Sequence, residues 1–197
     1  MKNGSMTDDT RHFTSIPWVS TLLTDKNYIT TPAPSRLFKS TTEDSFYSTT
    51  LNTPGTISHC LAQYRRPPQD AVPYQPGAIP TSEIRIFCTL GSDLNGYPGI
   101  LHGGMVSSLL DECMGLVLSF RLGGGMPGQE GPVTAYLSTK FKGPVRTPGV
   151  VVVSGWIVEM KENRKWLLKG NIRDHEGRIL AEAECLYVLP RGVGGKI

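Results

Sequence analysis

The chain has 197 residues, 39% of them hydrophobic, and a formal net charge of +3, which suits one well-buried domain with an appendage and is short for two full domains. Its lysines and arginines are scattered, with no basic block and no arginine-aromatic array, which argues against a nucleic-acid partner. No apolar run is long enough to span a bilayer.

The opening stretch, Met1 to Arg11, is polar, carries Asp8 and Asp9 and lacks a secretory apolar core, so a cytoplasmic location is expected. Cys60, Cys88, Cys113 and Cys185 lie far apart without metal-ligand spacing and read as buried thiols of a reducing compartment. Residues 1–80 are rich in Thr, Ser and Pro and form, on this reading, an N-terminal extension that packs on or over the core, as a wrapping segment or a lid. Two stretches of it are helical candidates: Pro17 to Thr24, and Pro54 to Arg65 with Ile57, Leu61 and Tyr64 at helical spacing.

Beyond Thr81 dense apolar segments alternate with Gly/Pro turns, and residues 81–190 are expected to form the folded domain, with 191–197 a flexible tail. Glu83 to Leu90 alternates as a strand. A turn-rich loop, Gly91 to Gly99, leads to a long helix from about Gly103 to the glycine run at Gly123. Four further strands follow, Val133 to Lys142, Val150 to Met160, Lys165 to Asp174 and Ile179 to Leu189, joined by links too short for crossover helices. Neighbours are therefore expected to pair as antiparallel hairpins. Alternation places Val133, Ala135, Leu137, Thr139 and Phe141 on the core face of their strand and Thr134, Tyr136, Ser138 and Lys140 on the other. The fold class is α+β, with one sheet curled around one helix.

The chemistry gathers on that helix. Val106, Leu109, Leu110, Cys113, Val117 and Phe120 make a broad apolar face, while Asp111 shares a stripe with the small residues Gly104, Ser107, Ser108 and Gly115. Such a stripe either admits a substrate or another chain, or merely faces solvent or packs on a strand. Gly103 and Gly104 sit where the first helical turn has N–H groups without intrahelical acceptors, so a ligand oxygen can approach them. An oxyanion formed there gains from the helix dipole as well, and one such donor is worth about 3–4 kcal/mol of barrier. Gly104 and Asp111 are about 10 Å apart along the axis, so one carbonyl can hardly touch both on the same helix. The spacing points to a site shared between subunits, an amide from one and a carboxylate from the other.

Pro-Gly-Ile-Leu-His-Gly-Gly ending at Gly104, Asp111 nine residues after His102, Val133-Thr134-Ala135, and Phe141-Lys142-Gly143-Pro144-Val145 together resemble the hotdog-fold acyl-CoA thioesterases, in the phenylacetate-type branch that includes thioesterase-superfamily member 4-like proteins. The likeness runs from about Glu83 to Leu189. It implies a hotdog fold and hydrolysis of an acyl-CoA without metal or other cofactor, in a homodimer or dimer of dimers. It also implies Asp111 as nucleophile or general base, Gly103 as the amide that polarises the carbonyl, and Thr134 as a residue placing water or the carboxylate. His102, Gly104, Lys142 and Arg146 are the candidate substrate contacts, with His102 also able to shape the turn. Gly143 stands where relatives have an arginine, and Asn95, beside the position where some relatives use an asparagine, is assigned no catalytic role. Two other readings compete: a non-catalytic hotdog module that binds acyl-CoA or a protein, and a thioesterase that releases an acyl or polyketide chain from a carrier protein.

Overall fold

The computed structural model describes residues 6–123, 131–162 and 164–190, so the expected tail at 191–197 lies outside the described residues. Two short helices come first, α1 (Met6–Thr14) and α2 (Pro17–Leu23), the second opened by a proline at a position where no backbone donor is needed. Strands β1 (Tyr28–Pro32), β2 (Ile57–Arg65) and β3 (Glu83–Leu90) follow. A small hairpin, β4 (Asn95–Tyr97) with β5 (Ile100–Leu101), occupies the expected loop and leads into α3 (Gly103–Leu122). Gly123 ends α3 in the left-handed conformation, at φ 75°, that a helix stop favours. The chain finishes with β6 (Val133–Phe141), β7 (Gly149–Lys161), β8 (Lys165–Arg173) and β9 (Ile179–Val188).

Seven strands pair antiparallel in the order β1-β2-β3-β7-β8-β9-β6. Three sequence expectations change here. The stretch from Pro54 to Arg65 is largely strand β2 rather than helix. Ile57, Cys60, Leu61 and Ala62 are buried whichever way they point, because β2 is covered on both faces and so lacks the alternation that marks a half-buried strand. The region before Pro80 thus supplies two strands to the same sheet that continues in β3. β6 and β7 do not form a hairpin: β6 pairs with β9 and β7 with β3. The link from 142 to 148 has the reach for this, since crossing three strand spacings takes about 14 Å and a residue extends about 3.3 Å or more.

The third change concerns which side chains of β6 face inward. A bulge against β9 falls between Thr134 and Tyr136, so the parity of the strand switches there. Thr134 on one side of it and Thr139 on the other both reach the helix, at Asp111 and Ser107. β6 is the sheet edge and is largely exposed; Val133, Ala135 and Phe141, expected in the core, are all solvent-accessible.

The core lies between the sheet and α3, with Leu109, Leu110, Cys113, Met114 and Val117 inaccessible. Phe120, the last of the expected apolar face, packs against it only partly buried. The helix seats close to the sheet because Gly155 and Gly170 face each other across β7 and β8 beneath it. A Cβ on Gly155 would stand 3.1 Å from Met114 Cγ and 3.2 Å from its backbone. On the outer face, α1 and α2 cover the sheet through Phe13 and Val19 against Leu61, Phe87 and Val152. Among the described residues no helix is long and apolar enough to cross a membrane, and all four cysteines are buried and free.

Candidate active site

The start of α3 is built by His102. Its backbone N–H donates to Leu94 O at 2.9 Å, which fixes the helix on the preceding loop, and its ring Nδ1 accepts from the Gly104 N–H at 3.0 Å. This N-cap takes one of the two amides that the glycine pair would bare. Among the described residues nothing accepts from the Gly103 amide, and this glycine is exposed. The ring of Phe141, at the end of β6, stands over it: a Cβ on Gly103 would lie 3.5 Å from Phe141 Cζ.

Two turns further on, Asp111 is half-buried and faces the start of β6 and the end of β9. Three side chains converge on one of its oxygens. The Thr134 hydroxyl donates to Oδ1 at 3.0 Å, the Tyr187 hydroxyl lies 2.8 Å from the same atom, and Cys185 Sγ is at 3.8 Å. Tyr187 Oη is also 2.7 Å from the Asp111 main-chain oxygen. Thr134 and Tyr187 are direct cross-strand partners, which brings both hydroxyls to the helix side by side. Burial and the Asp111 charge both raise the Tyr187 phenol, keeping it a neutral donor, and the same two causes push the Cys185 thiol up to about 12. The small-residue stripe therefore packs on strands: Ser107 on Thr139, Asp111 on Thr134 and Tyr187, Gly115 on Tyr187.

Nothing in the sequence pattern singles out Tyr187 and Cys185 as partners of Asp111. A tyrosine and a cysteine on the inward-facing positions of β9 signal that a polar group is met there, but the sequence does not say which, because the partner is 76 residues away for Tyr187.

Glu112 faces elsewhere. It lies beneath the segment that follows β1, near Ser35 and Asp44, and its Oε1 has no hydrogen-bond partner among the described residues. Burial pushes its carboxyl up to about 7, with the charges of Asp44 and Asp111 adding to the rise while the Ser35 hydrogen bond and Lys39 oppose it. Tyr47 covers the same side, its hydroxyl 2.9 Å from that of Ser108.

Lys142 and Arg146 line one cavity of about 560 Å³ at the end of the sheet, together with His175 and Arg178. Lys142 is paired with Glu182 at 3.1 Å and Arg178 with Asp174 at 2.8 Å, whereas Arg146 has no carboxylate partner among the described residues. Arg146 also bridges to Ile100, so this cavity adjoins the approach to α3. Asn95 accepts a hydrogen bond from Thr147 in the link, a bond that holds the link to the β4 hairpin. Among the described residues no three His, Cys, Asp or Glu side chains are placed to share a metal ion.

One antiparallel sheet curled on a central helix, with a free amide at the helix start and a held carboxylate two turns in, defines a hotdog-fold domain. The profile of the Thioesterase superfamily matches residues 98–165, a span that holds Gly103, Asp111, Thr134, Lys142 and Arg146. Verlamelin biosynthesis protein B of a Lecanicillium species is 32% identical over 165 residues, covering 73% of this chain and 71% of that protein. Acyl-coenzyme A thioesterase THEM4 of Xenopus laevis is 33% identical over 110 residues, covering 54% of this chain and 46% of its own length, so the chain spans under half of that relative. The crystal structure of a thioesterase superfamily protein superposes with a TM-score of 0.47 at 29% identity, covering 54% of this chain and 51% of that one. The chain belongs to the thioesterase superfamily and is a thioester hydrolase.

Proposed function

We propose that the protein hydrolyses an acyl-CoA to the free acid and CoA. The observation that carries this reading is the Asp111 carboxylate, fixed through one oxygen on the helix whose first amide, at Gly103, is open. The name of the THEM4 relative supports CoA as the carrier of the acyl group. In the reaction, Asp111 takes the proton of a water that attacks the thioester carbonyl, or attacks the carbonyl itself to give an anhydride that water then opens. The carbonyl oxygen gains charge against the Gly103 amide and the helix start. The carbon–sulfur bond breaks, and the CoA thiolate leaves and takes up a proton.

A homodimer supplies the missing geometry. Asp111 and Gly103 stand too far apart on one helix to meet one carbonyl, and among the described residues β6, beside Asp111, is an edge strand with Val133, Tyr136 and Phe141 exposed. Mixing an Asp111→Ala protein with a Gly103→Pro protein is expected to restore activity in hybrid dimers; absence of any recovery counts against the shared site. Free thiol release from a panel of acyl-CoAs, with wild type and Asp111→Asn, tests the activity itself. Turnover unchanged in Asp111→Asn removes the catalytic role, and binding without turnover favours a non-catalytic module. A second reading, hydrolysis of an acyl chain held on a carrier protein, draws support from the relative named for biosynthesis. It is preferred if carrier-bound acyl groups are released and CoA esters are not.

A further inference from the structure

We propose that Tyr187 is a positioning residue which, together with Thr134, ties up Asp111 Oδ1 and so assigns Oδ2 as the oxygen that meets the substrate or the attacking water. This rests on the catalytic reading of Asp111. A carboxylate oxygen has two lone-pair directions. Thr134 at 3.0 Å and Tyr187 at 2.8 Å both stand against Oδ1, the single tyrosine proton being shared with the Asp111 main-chain oxygen, while no donor is placed on Oδ2 among the described residues.

Tyr187 does something that Thr134 does not. Its hydroxyl lies within hydrogen-bond reach of both the carboxylate and the main-chain oxygen of the same residue, at 2.8 and 2.7 Å. A contact that spans the side chain and backbone of one residue restrains the torsions between them. The Asp111 rotamer is thus held against the helix before any ligand arrives, which is the preorganisation that a reacting carboxylate needs. The ring is anchored for this task, since Tyr187 is only 4% exposed. Gly115 gives the hydroxyl its place: a Cβ there would come within 3.4 Å of Tyr187 Oη, so a longer side chain would take the space. The bulge of β6 completes the arrangement by turning Thr134 inward opposite Tyr187. Tyr187 lies outside the span matched by the superfamily profile, 98–165, so its role is read from this geometry alone.

The test is steady-state acyl-CoA hydrolysis by Tyr187→Phe, which keeps the buried ring and removes only the hydroxyl. The kcat is expected to fall about tenfold, as for loss of a hydrogen bond to a charged group, with KM within about twofold of wild type because substrate binding is not touched. The double variant Thr134→Val, Tyr187→Phe is expected to lose more than the product of the single losses, since each donor partly covers for the other on a shared oxygen. Unchanged kcat in Tyr187→Phe overturns the proposal, as does a fall in activity matched by an equal fall in the folded fraction, measured by thermal melting. Asp111→Asn run alongside separates the two levels. An inactive Asp111→Asn with a fully active Tyr187→Phe removes only the positioning role, whereas a fully active Asp111→Asn removes both.

Discussion

Asp111 and Glu112 are consecutive on α3, about 100° apart around the axis, and the protein surrounds them in different ways. Asp111 looks toward the start of β6 and the end of β9, where two hydroxyls and a thiol converge on one oxygen. Glu112 looks toward the segment after β1, where one of its oxygens is buried without a partner among the described residues and its carboxyl is pushed up to about 7. That rise alone would put Glu112 in the range that suits a general base near neutral pH. Judged by geometry, Asp111 is held in place by donors and lies on the helix stripe that faces the open edge. Burial raises a carboxyl wherever it occurs, whereas a reacting carboxylate is better recognised by the donors that fix it.

Neutralising each acid in turn separates their roles. Asp111→Asn is expected to lower kcat by about 10²- to 10⁴-fold with an unchanged melting temperature, and Glu112→Gln to leave kcat within about twofold; the opposite pattern would exchange their roles. Thr134→Val comes next, with a kcat loss of about tenfold read in the same thiol-release assay.

Glu112 has a stability consequence of its own. Its folded-state carboxyl is raised from 4.5 to about 7, so folding favours the protonated form. Stability is lost as pH rises from about 4.5 to 7, and the cost persists above that range because the buried charge must then be carried. Glu112→Gln is therefore expected to gain about 3 kcal/mol at pH 8 and little at pH 4, measured by urea unfolding at both values. An equal gain at both would show that the effect is packing rather than charge.

How much of this was legible beforehand differs between the two sides of α3. The helix itself, β3 and β7 to β9 follow from periodicity and from Gly/Pro punctuation, and Gly103, Asp111 and Thr134 from the glycine pair and the spacing that carries the family resemblance. β2 was not, because a strand buried on both faces has no alternation to read, and its apolar residues happen to fall at helical spacing. The inward turn of Thr134 depends on a bulge, which changes parity without any residue type that announces it. Tyr187 and Ser35 act across long separations in the chain, and such contacts follow from topology, which the 142–148 link sets by carrying the chain across the end of the sheet.

The smallest expected effect lies at the cavity beside Lys142 and Arg146, and there too the comparison is between two like groups in unlike surroundings. Lys142 is paired with Glu182 at 3.1 Å and half-exposed, so much of its charge is already answered by a neighbour, while Arg146 meets no carboxylate among the described residues. Both line the same space of about 560 Å³. If phosphate groups of the substrate enter it, the unpaired cation matters more. Arg146→Ala is expected to raise KM for an acyl-CoA about three- to fivefold, and Lys142→Ala by less than about twofold, in keeping with the small worth of exposed charge pairs. Both effects should shrink as salt rises from 0.05 to about 0.5 M, where the screening length falls well below 10 Å. A thioester of pantetheine alone, which lacks the nucleotide phosphates, should show neither effect; an equal rise in its KM would mean that Arg146 supports the link and the approach to α3 rather than the phosphates.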